Sequence, residues 1–160
     1  MIRKAECKDI QPILAIYNEY VIHSTATFDI NPVSENEMLS RMKDISSVFP
    51  YLVYEEEGEV IGYCYAHYWK EKAAYKHTLE TTVYVSPAHH RRGVGYALMT
   101  ELIDQCRKIG ASALIACITS GNDGSISLHK KLGFHRVSKF EKVGIKFGKT
   151  LDVEDYELLL

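Results

Sequence analysis

Nowhere does the sequence contain an apolar run long enough to span a bilayer, and its first residues, Met1-Ile2-Arg3-Lys4-Ala5-Glu6, carry neither a long hydrophobic stretch nor a small-residue cleavage site. Membrane insertion and secretion are therefore not expected, and a soluble cytoplasmic protein is. Positive charge is not in excess: 19 Lys and Arg against 21 Asp and Glu leave a net charge of −2, which argues against a nucleic-acid-binding surface. The four cysteines, Cys7, Cys64, Cys106 and Cys117, show no C-x-x-C spacing and sit in apolar or helical patterns, so buried free thiols in a reducing compartment are expected. His23, His67, His77, His89, His90 and His135 show no metal-ligand spacing with neighbouring cysteines or carboxylates, so no metal is expected. No Ser-His-Asp or Cys-His nucleophile arrangement stands out. No repeat, low-complexity tract or linker interrupts the chain, so residues 1–160 read as one domain. A domain of that size removes about 70% of its unfolded surface from water, enough for a sizeable core.

What is present is concentrated between Leu79 and Ile109. From Leu79 to Val85 the hydrophobic period is two, with Leu79, Thr81, Val83 and Val85 on one face and Glu80, Thr82 and Tyr84 on the other, which predicts a strand. From Gly93 onward Val94, Leu98, Leu102, Cys106 and Ile109 recur at helical spacing, and Gly110 follows as a stop. Between them, Pro87 ends strand pairing, and Gly93 and Gly95 let the backbone come close to a ligand. Bare amides, the positive end of the helix dipole and the cations of Arg91 and Arg92 then converge on one point, which suits a di- or triphosphate.

A dinucleotide fingerprint fails here, because Leu98 stands where a third small residue is needed and no acidic residue closes the next strand at Cys117 and Ile118. A P-loop fails because no Gly-Lys-Ser/Thr follows the first glycine. An ordinary strand-to-helix turn remains the competing reading.

The rest of the chain reads as β-α-α-β-β-β-α-β-α-β-β. Ile2 to Ala5 is a strand, and Asp9 opens a helix with Ile10, Ile13, Leu14, Tyr17 and Val21 inward. Ser34 with Glu37 has the capping-box form and starts a second helix to about Ile45. Tyr51 to Glu56 and Val60 to Tyr68 form a hairpin over Glu57-Gly58. Ala113 to Ile118 is a strand before the last helix, and Phe134 to Val143 and Phe147 to Leu159 are two more around Gly144 to Gly148.

The run Arg91-Arg92-Gly93-Val94-Gly95-Tyr96-Ala97-Leu98 after Val83-Tyr84-Val85, with Leu128-His129-Lys130-Lys131-Leu132-Gly133-Phe134 further on, resembles the GNAT family of N-acetyltransferases, over nearly the whole chain. One departure is His90, where that family usually has Gln or Arg. The resemblance implies an α/β (α+β) fold with a mixed, mainly antiparallel sheet of about seven strands and about four helices. It also implies acetyl-CoA as acyl donor and no metal. Val83, Tyr84, Val85, Arg91, Arg92, Gly93, Val94, Gly95, Tyr96 and Ala97 would hold the pantetheine and pyrophosphate, together with Asn122, Ser125 and His129 of the last helix. The phosphinothricin and methionine sulfone branch is the most similar, and it implies acetylation of a small amino-acid-like amine, with a homodimer as the expected assembly.

In that branch Glu80 corresponds to the general base. Read alone it is a solvated strand glutamate or, in a partly dry cleft, a proton acceptor of raised pKa. His129 stands where the wider family often has a proton-donating Tyr; it donates a proton to the leaving thiolate or hydrogen-bonds the pantetheine. The branch implies substrate contacts from Phe28, Lys72, Tyr75, Thr78 and Glu80. Phe28 is otherwise a plug over the core, and Lys70 and Lys72 replace two arginines of the branch, loosening carboxylate recognition. An α-amine costs about 1.4 kcal/mol to deprotonate near neutral pH and a lysine amine about 4.6, so one carboxylate favours the former. Two other functions stay open: acetylation of a peptide N-terminus in an open groove, and an acyl-CoA-binding module without turnover.

Overall fold

A computed structural model describes residues 1–160. Seven strands form one sheet in the order β1-β2-β3-β4-β5-β7-β6. They are β1 (Ile2–Lys4), β2 (Tyr51–Glu56), β3 (Glu59–Tyr68), β4 (Thr78–Val85), β5 (Ala113–Thr119), β6 (His135–Lys146) and β7 (Lys149–Leu159). Only the β4 to β5 pair is parallel. Four helices accompany them: α1 (Ile10–His23), α2 (Glu35–Ser46), α3 (Val94–Lys108) and α4 (Asp123–Lys131). Element order and sheet type are those the sequence predicts.

The strand period of two divides the core. Tyr51, Val53 and Tyr63 turn to the α1 and α2 face, where they meet Ile13, Val21, Met38 and Met42. Leu52, Cys64 and Leu79 turn the other way and pack with Leu98, Leu102 and Cys106 of α3 and with Tyr156. Ser34 Oγ accepts the Glu37 N–H at 3.2 Å and so caps α2. The Glu37 side chain does not return the bond; it accepts from Arg41 instead, at 2.6 Å.

Several boundaries differ from the sequence reading. Ile109 lies past the end of α3 and is exposed, because Gly110, at φ +87°, turns the chain out of the helix. The last hairpin turns on Phe147-Gly148 alone, both residues at positive φ (+54° and +70°), so Gly144 belongs to β6 and not to the connection. Cys64 and Cys106 are buried as expected, but Cys7 and Cys117 are exposed. Cys117 is open because its side chain projects into a surface cleft rather than into the core.

Candidate active site

The two central strands diverge. β4 pairs with β5 only from Thr78 to Glu80, opposite Ala113 to Ile115. Beyond that point β4 stays on β3 as far as Val85, and β5 stays on β7 as far as Thr119, so a gap opens between them. Trp69 N–H donates to the Thr78 carbonyl and Ser86 N–H to that of Ile61, which sets the rungs to β3 at the even positions of β4. Val83 and Val85 therefore direct their backbone groups into the gap. The Val85 carbonyl is occupied there: Tyr20 Oη donates to it at 2.5 Å, and His90 Nε2 lies 3.2 Å from it and 2.7 Å from Tyr20 Oη. The Val83 N–H and carbonyl and the Val85 N–H are what remains of the strand edge.

Around the gap is a cleft of about 910 Å³. The β4 and β5 ends form its floor, the Ser24 to Phe28 loop one wall, α4 another, and the turn from His89 to Tyr96 its mouth. At that mouth Gly93 takes φ +80° and opens α3, aiming the first helical amides into the cleft. The dipole at this end is worth only about 0.3 to 2 kcal/mol for an anion, so binding must be a sum of contacts. Gly95 serves packing: a Cβ there would stand 3.2 Å from Leu128 Cδ2 and 3.6 Å from Val85 Cγ2.

The two arginines part company. Arg91, itself at φ +60°, lines the cleft. Arg92 turns away and donates to both carboxylate oxygens of Glu56, at 3.0 and 2.8 Å. A second cation at the mouth comes from Lys131, whose Nζ lies 4.7 Å over the Tyr96 ring.

At the closed end of the gap is Glu80, half-buried and at the last paired position before the divergence. Burial raises its carboxyl above the ordinary carboxylate range; His67 across the strand pair opposes this and the charge of Asp155 adds to it. A carboxylate held this way is a better proton acceptor than a solvated one. Cys117 lines the same region; it is open to the cleft on one side, but the protein packed around its other sides desolvates the thiol and, with the charges of Asp155 and Glu80, pushes it up to about 12. It is a neutral thiol at ordinary pH.

Asn122 caps α4 through Oδ1, which accepts the Ser125 N–H at 3.3 Å. His129 lies one turn further and is buried, where the sequence pattern places it on the helix surface. Its ring packs edge-on to Phe134, at 5.0 Å, and Nδ1 donates to the Ser125 carbonyl at 2.7 Å. Burial lowers its pKa, so the ring is neutral and Nε2 carries a lone pair.

Of the residues singled out from the sequence, the fold gathers Phe28, Glu80, Val83, Tyr84, Val85, Arg91, Gly93, Val94, Gly95, Tyr96, Asn122, Ser125 and His129 around this one cleft. Arg92, Ala97, Lys72, Tyr75 and Thr78 do not line it. Tyr75 instead packs edge-on to Trp69 at 5.4 Å, with Lys70 Nζ 4.3 Å over the indole, so this loop folds on itself. Tyr20, Cys117 and Thr119 line the cleft without being singled out as site residues from the sequence, and so do Thr27 and Lys131, which lie within segments that carry the family resemblance. Period-two alternation could have flagged Cys117; Tyr20 and Thr119 join through tertiary contacts that leave no local pattern.

A family model described as the acetyltransferase (GNAT) family matches residues 13–134. The chain is 37% identical over 160 residues to the L-methionine sulfoximine/L-methionine sulfone acetyltransferase of Salmonella typhimurium, covering 99% of this chain and 94% of that protein. Among solved structures, a phosphinothricin acetyltransferase from Sinorhizobium meliloti in complex with AcCoA superimposes with a TM-score of 0.97 at 36% identity, over 100% of this chain and 88% of the other. A ribosomal-protein-alanine N-acetyltransferase from Brucella melitensis also superimposes with a TM-score of 0.97, at 34% identity over 100% and 99% of the two chains.

Proposed function

The chain belongs to the acetyltransferase (GNAT) family, and on that premise we propose that it moves an acetyl group from acetyl-CoA to the amine of a small amino-acid-like acceptor, of the methionine sulfone or phosphinothricin kind. The observation that carries this reading is the gap between β4 and β5, with a helix N-terminus at its open end and a carboxylate of raised pKa at its closed end. That spacing suits a long thioester whose diphosphate and acyl carbon must be held apart and aimed.

Acetyl-CoA, when bound, supplies an activated acyl carbon and a sulfur leaving group. The amides of Gly93 to Tyr96 and the Arg91 guanidinium would hold its diphosphate, and the Val83 and Val85 N–H groups would align its arm as an added strand edge. Asn122 and Ser125 lie alongside on α4. Glu80 takes the proton shed by the acceptor nitrogen as the N–C bond forms and the C–S bond breaks, the electron pair leaving on sulfur as the CoA thiolate. His129, neutral and with a bare Nε2, accepts a hydrogen bond in the cleft and does not act as an acid. No covalent enzyme intermediate is required, and the two substrates react directly.

Residues 1–160 act as one domain in this reading, in the cytoplasm, and as a homodimer. Support for the dimer is the exposed apolar surface of β6, the edge strand of the sheet, where Val137, Phe140, Val143 and Ile145 stand in water. A peptide acceptor is the alternative that the Brucella melitensis relative brings forward. The wall formed by the Ser24 to Phe28 loop favours the compact acceptor.

The test is thiol release from acetyl-CoA with a panel of amines: methionine sulfone, phosphinothricin, free amino acids and short peptides. Turnover confined to amino-acid-sized amines is expected. Preference for peptides would replace the small acceptor with an N-terminal one, and heat stabilisation by acetyl-CoA with no turnover on any amine would leave only an acyl-CoA-binding module.

A further inference from the structure

Lys146 is a buried lysine, 3% exposed, near the tip of the β6 to β7 hairpin. Its Nζ donates to two backbone carbonyls far away in sequence, those of Ser24 at 2.7 Å and Thr27 at 2.8 Å, and lies 5.1 Å from the Phe147 ring centroid. Two residues earlier on the same strand face is Gly144. A Cβ at that position would stand 2.4 Å from Phe28 Cε2 and 2.8 Å from Phe28 Cζ, so the ring rests where only a hydrogen fits. Ser24, Thr27 and Phe28 are lining residues of the cleft. The loop that carries them has no helical or strand bonding of its own, so outside contacts decide its position. Thr119 Oγ1, donating to the Thr25 carbonyl at 2.7 Å, ties the loop to the cleft floor; Lys146 and Gly144 tie it to the hairpin.

We propose that Lys146 and Gly144 are positioning residues for acceptor selectivity: through them the β6 to β7 hairpin holds the Ser24 to Phe28 loop against the acceptor end of the cleft, which fits amino-acid-sized amines and turns peptides away. The proposal rests on the acetyl-transfer reading above. Neither residue touches the diphosphate end of the cleft, so their influence falls on one substrate only. Lys146 holds the loop by an ammonium bridging two carbonyls, and Gly144 holds it by the space it leaves free. The two effects are independent, and each can be removed without the other.

The experiment compares Lys146→Met and Gly144→Ala with the unaltered protein, measuring KM for methionine sulfone, KM for acetyl-CoA, and the ratio of kcat/KM for a short peptide to that for methionine sulfone. Displacing a substrate-positioning wall by about 1 Å costs one to two orders of magnitude. KM for methionine sulfone should therefore rise about tenfold or more in each variant. Over the same variants KM for acetyl-CoA should stay within about twofold, as for uniform binding lost on one substrate alone, and the peptide ratio should rise. A cycle of Gly144→Ala with Phe28→Ala should be non-additive, because the clash is gone once the ring is removed; this cycle decides the matter if Lys146→Met does not fold. Unchanged acceptor KM, parallel changes in both KM values, or an additive cycle would overturn the proposal. Unaltered protein inert on every amine would overturn the acetyl-transfer reading itself, whereas active protein with unmoved variants overturns this proposal alone.

Discussion

His129 Nδ1 donates its proton to the Ser125 carbonyl, 2.7 Å away and one turn back along α4, so the nitrogen facing the other way is an acceptor. Since burial also lowers its pKa, the ring stays neutral where an acid catalyst would need to be charged. The pH profile of kcat/KM should then show no basic limb that disappears in His129→Gln, whose amide oxygen can stand in for the Nε2 lone pair. A basic limb abolished by that change would restore His129 as proton donor.

The same shift has a sign for stability. A histidine whose folded pKa is lowered is protonated more readily in the unfolded chain, so stability is lost as pH falls through the unfolded value near 6.5. Thermal unfolding between pH 7.5 and about 5 should show a shallower decline for His129→Gln than for the unaltered protein. Equal slopes would mean that His129 does not contribute.

Glu80→Gln should lower turnover by about 10² to 10⁴, the usual range for a lost general base, while acetyl-CoA affinity measured by calorimetry stays within about twofold. Because burial raises the Glu80 pKa, its ionised form is disfavoured in the fold, and the folded state binds the proton more tightly than the unfolded one. Stability thus falls as pH rises from the unfolded pKa through the folded one. Removing the charge should raise Tm at pH 7 and leave it unchanged at a pH where Glu80 is protonated in both states. A lower Tm at pH 7 would contradict this sign.

Arg91→Ala and Arg92→Ala should separate. Losing a charged contact to diphosphate at an open site should raise the acetyl-CoA KM about tenfold, with a dependence on ionic strength. Arg92 is paired with Glu56 through one guanidinium nitrogen, an exposed bridge worth about 1 kcal/mol at most, so its removal should leave that KM unaltered and move stability slightly. Equal KM effects in steady-state kinetics would return Arg92 to the cleft.

Two glycines two residues apart should fail for different reasons. Gly93 has open space where a Cβ would stand but sits at φ +80°, so Gly93→Ala should cost about 1 to 2 kcal/mol in urea unfolding and Gly93→Asn less. Gly95 has no backbone constraint, but a methyl there would crowd the end of the Leu128 side chain, so Gly95→Ala should make that side chain give by a few tenths of an ångström and cost about 1 kcal/mol by overpacking. Equal harm from Asn and Ala at position 93 would mean that the left-handed backbone does not set the cost.

The centre of this molecule is legible in its sequence because it changes period in the open: two along β4, 3.6 along α3, with Gly93 between. Glu80 can be picked out for the same reason, as the acid on the polar face of that strand. His129 reads as a surface residue because its cover, Phe134, arrives from the segment after α4 and leaves no mark in the helical pattern. Lys146 reads as a solvated charge in any local window, and its burial depends on carbonyls 122 and 119 residues away. The turn of the last hairpin reads too early because Gly144 looks like a turn residue, when its missing side chain serves the Phe28 ring. Resemblance alone assigns Lys72 and Tyr75 to a cleft that neither lines, and only the packing of Trp69, Lys70 and Tyr75 on one another shows how that loop uses its aromatic surface.

Past Glu80, β4 is held along one flank only, since Thr82 and Tyr84 bond to Tyr65 and Tyr63 whereas Val83 and Val85 face the gap. Deuterium should therefore enter this strand unevenly, quickly at the odd-numbered amides and slowly at their even-numbered neighbours, although all four sit in the middle of a sheet. A guest lying along the open flank would erase that alternation, so the strand itself can report occupancy without any label.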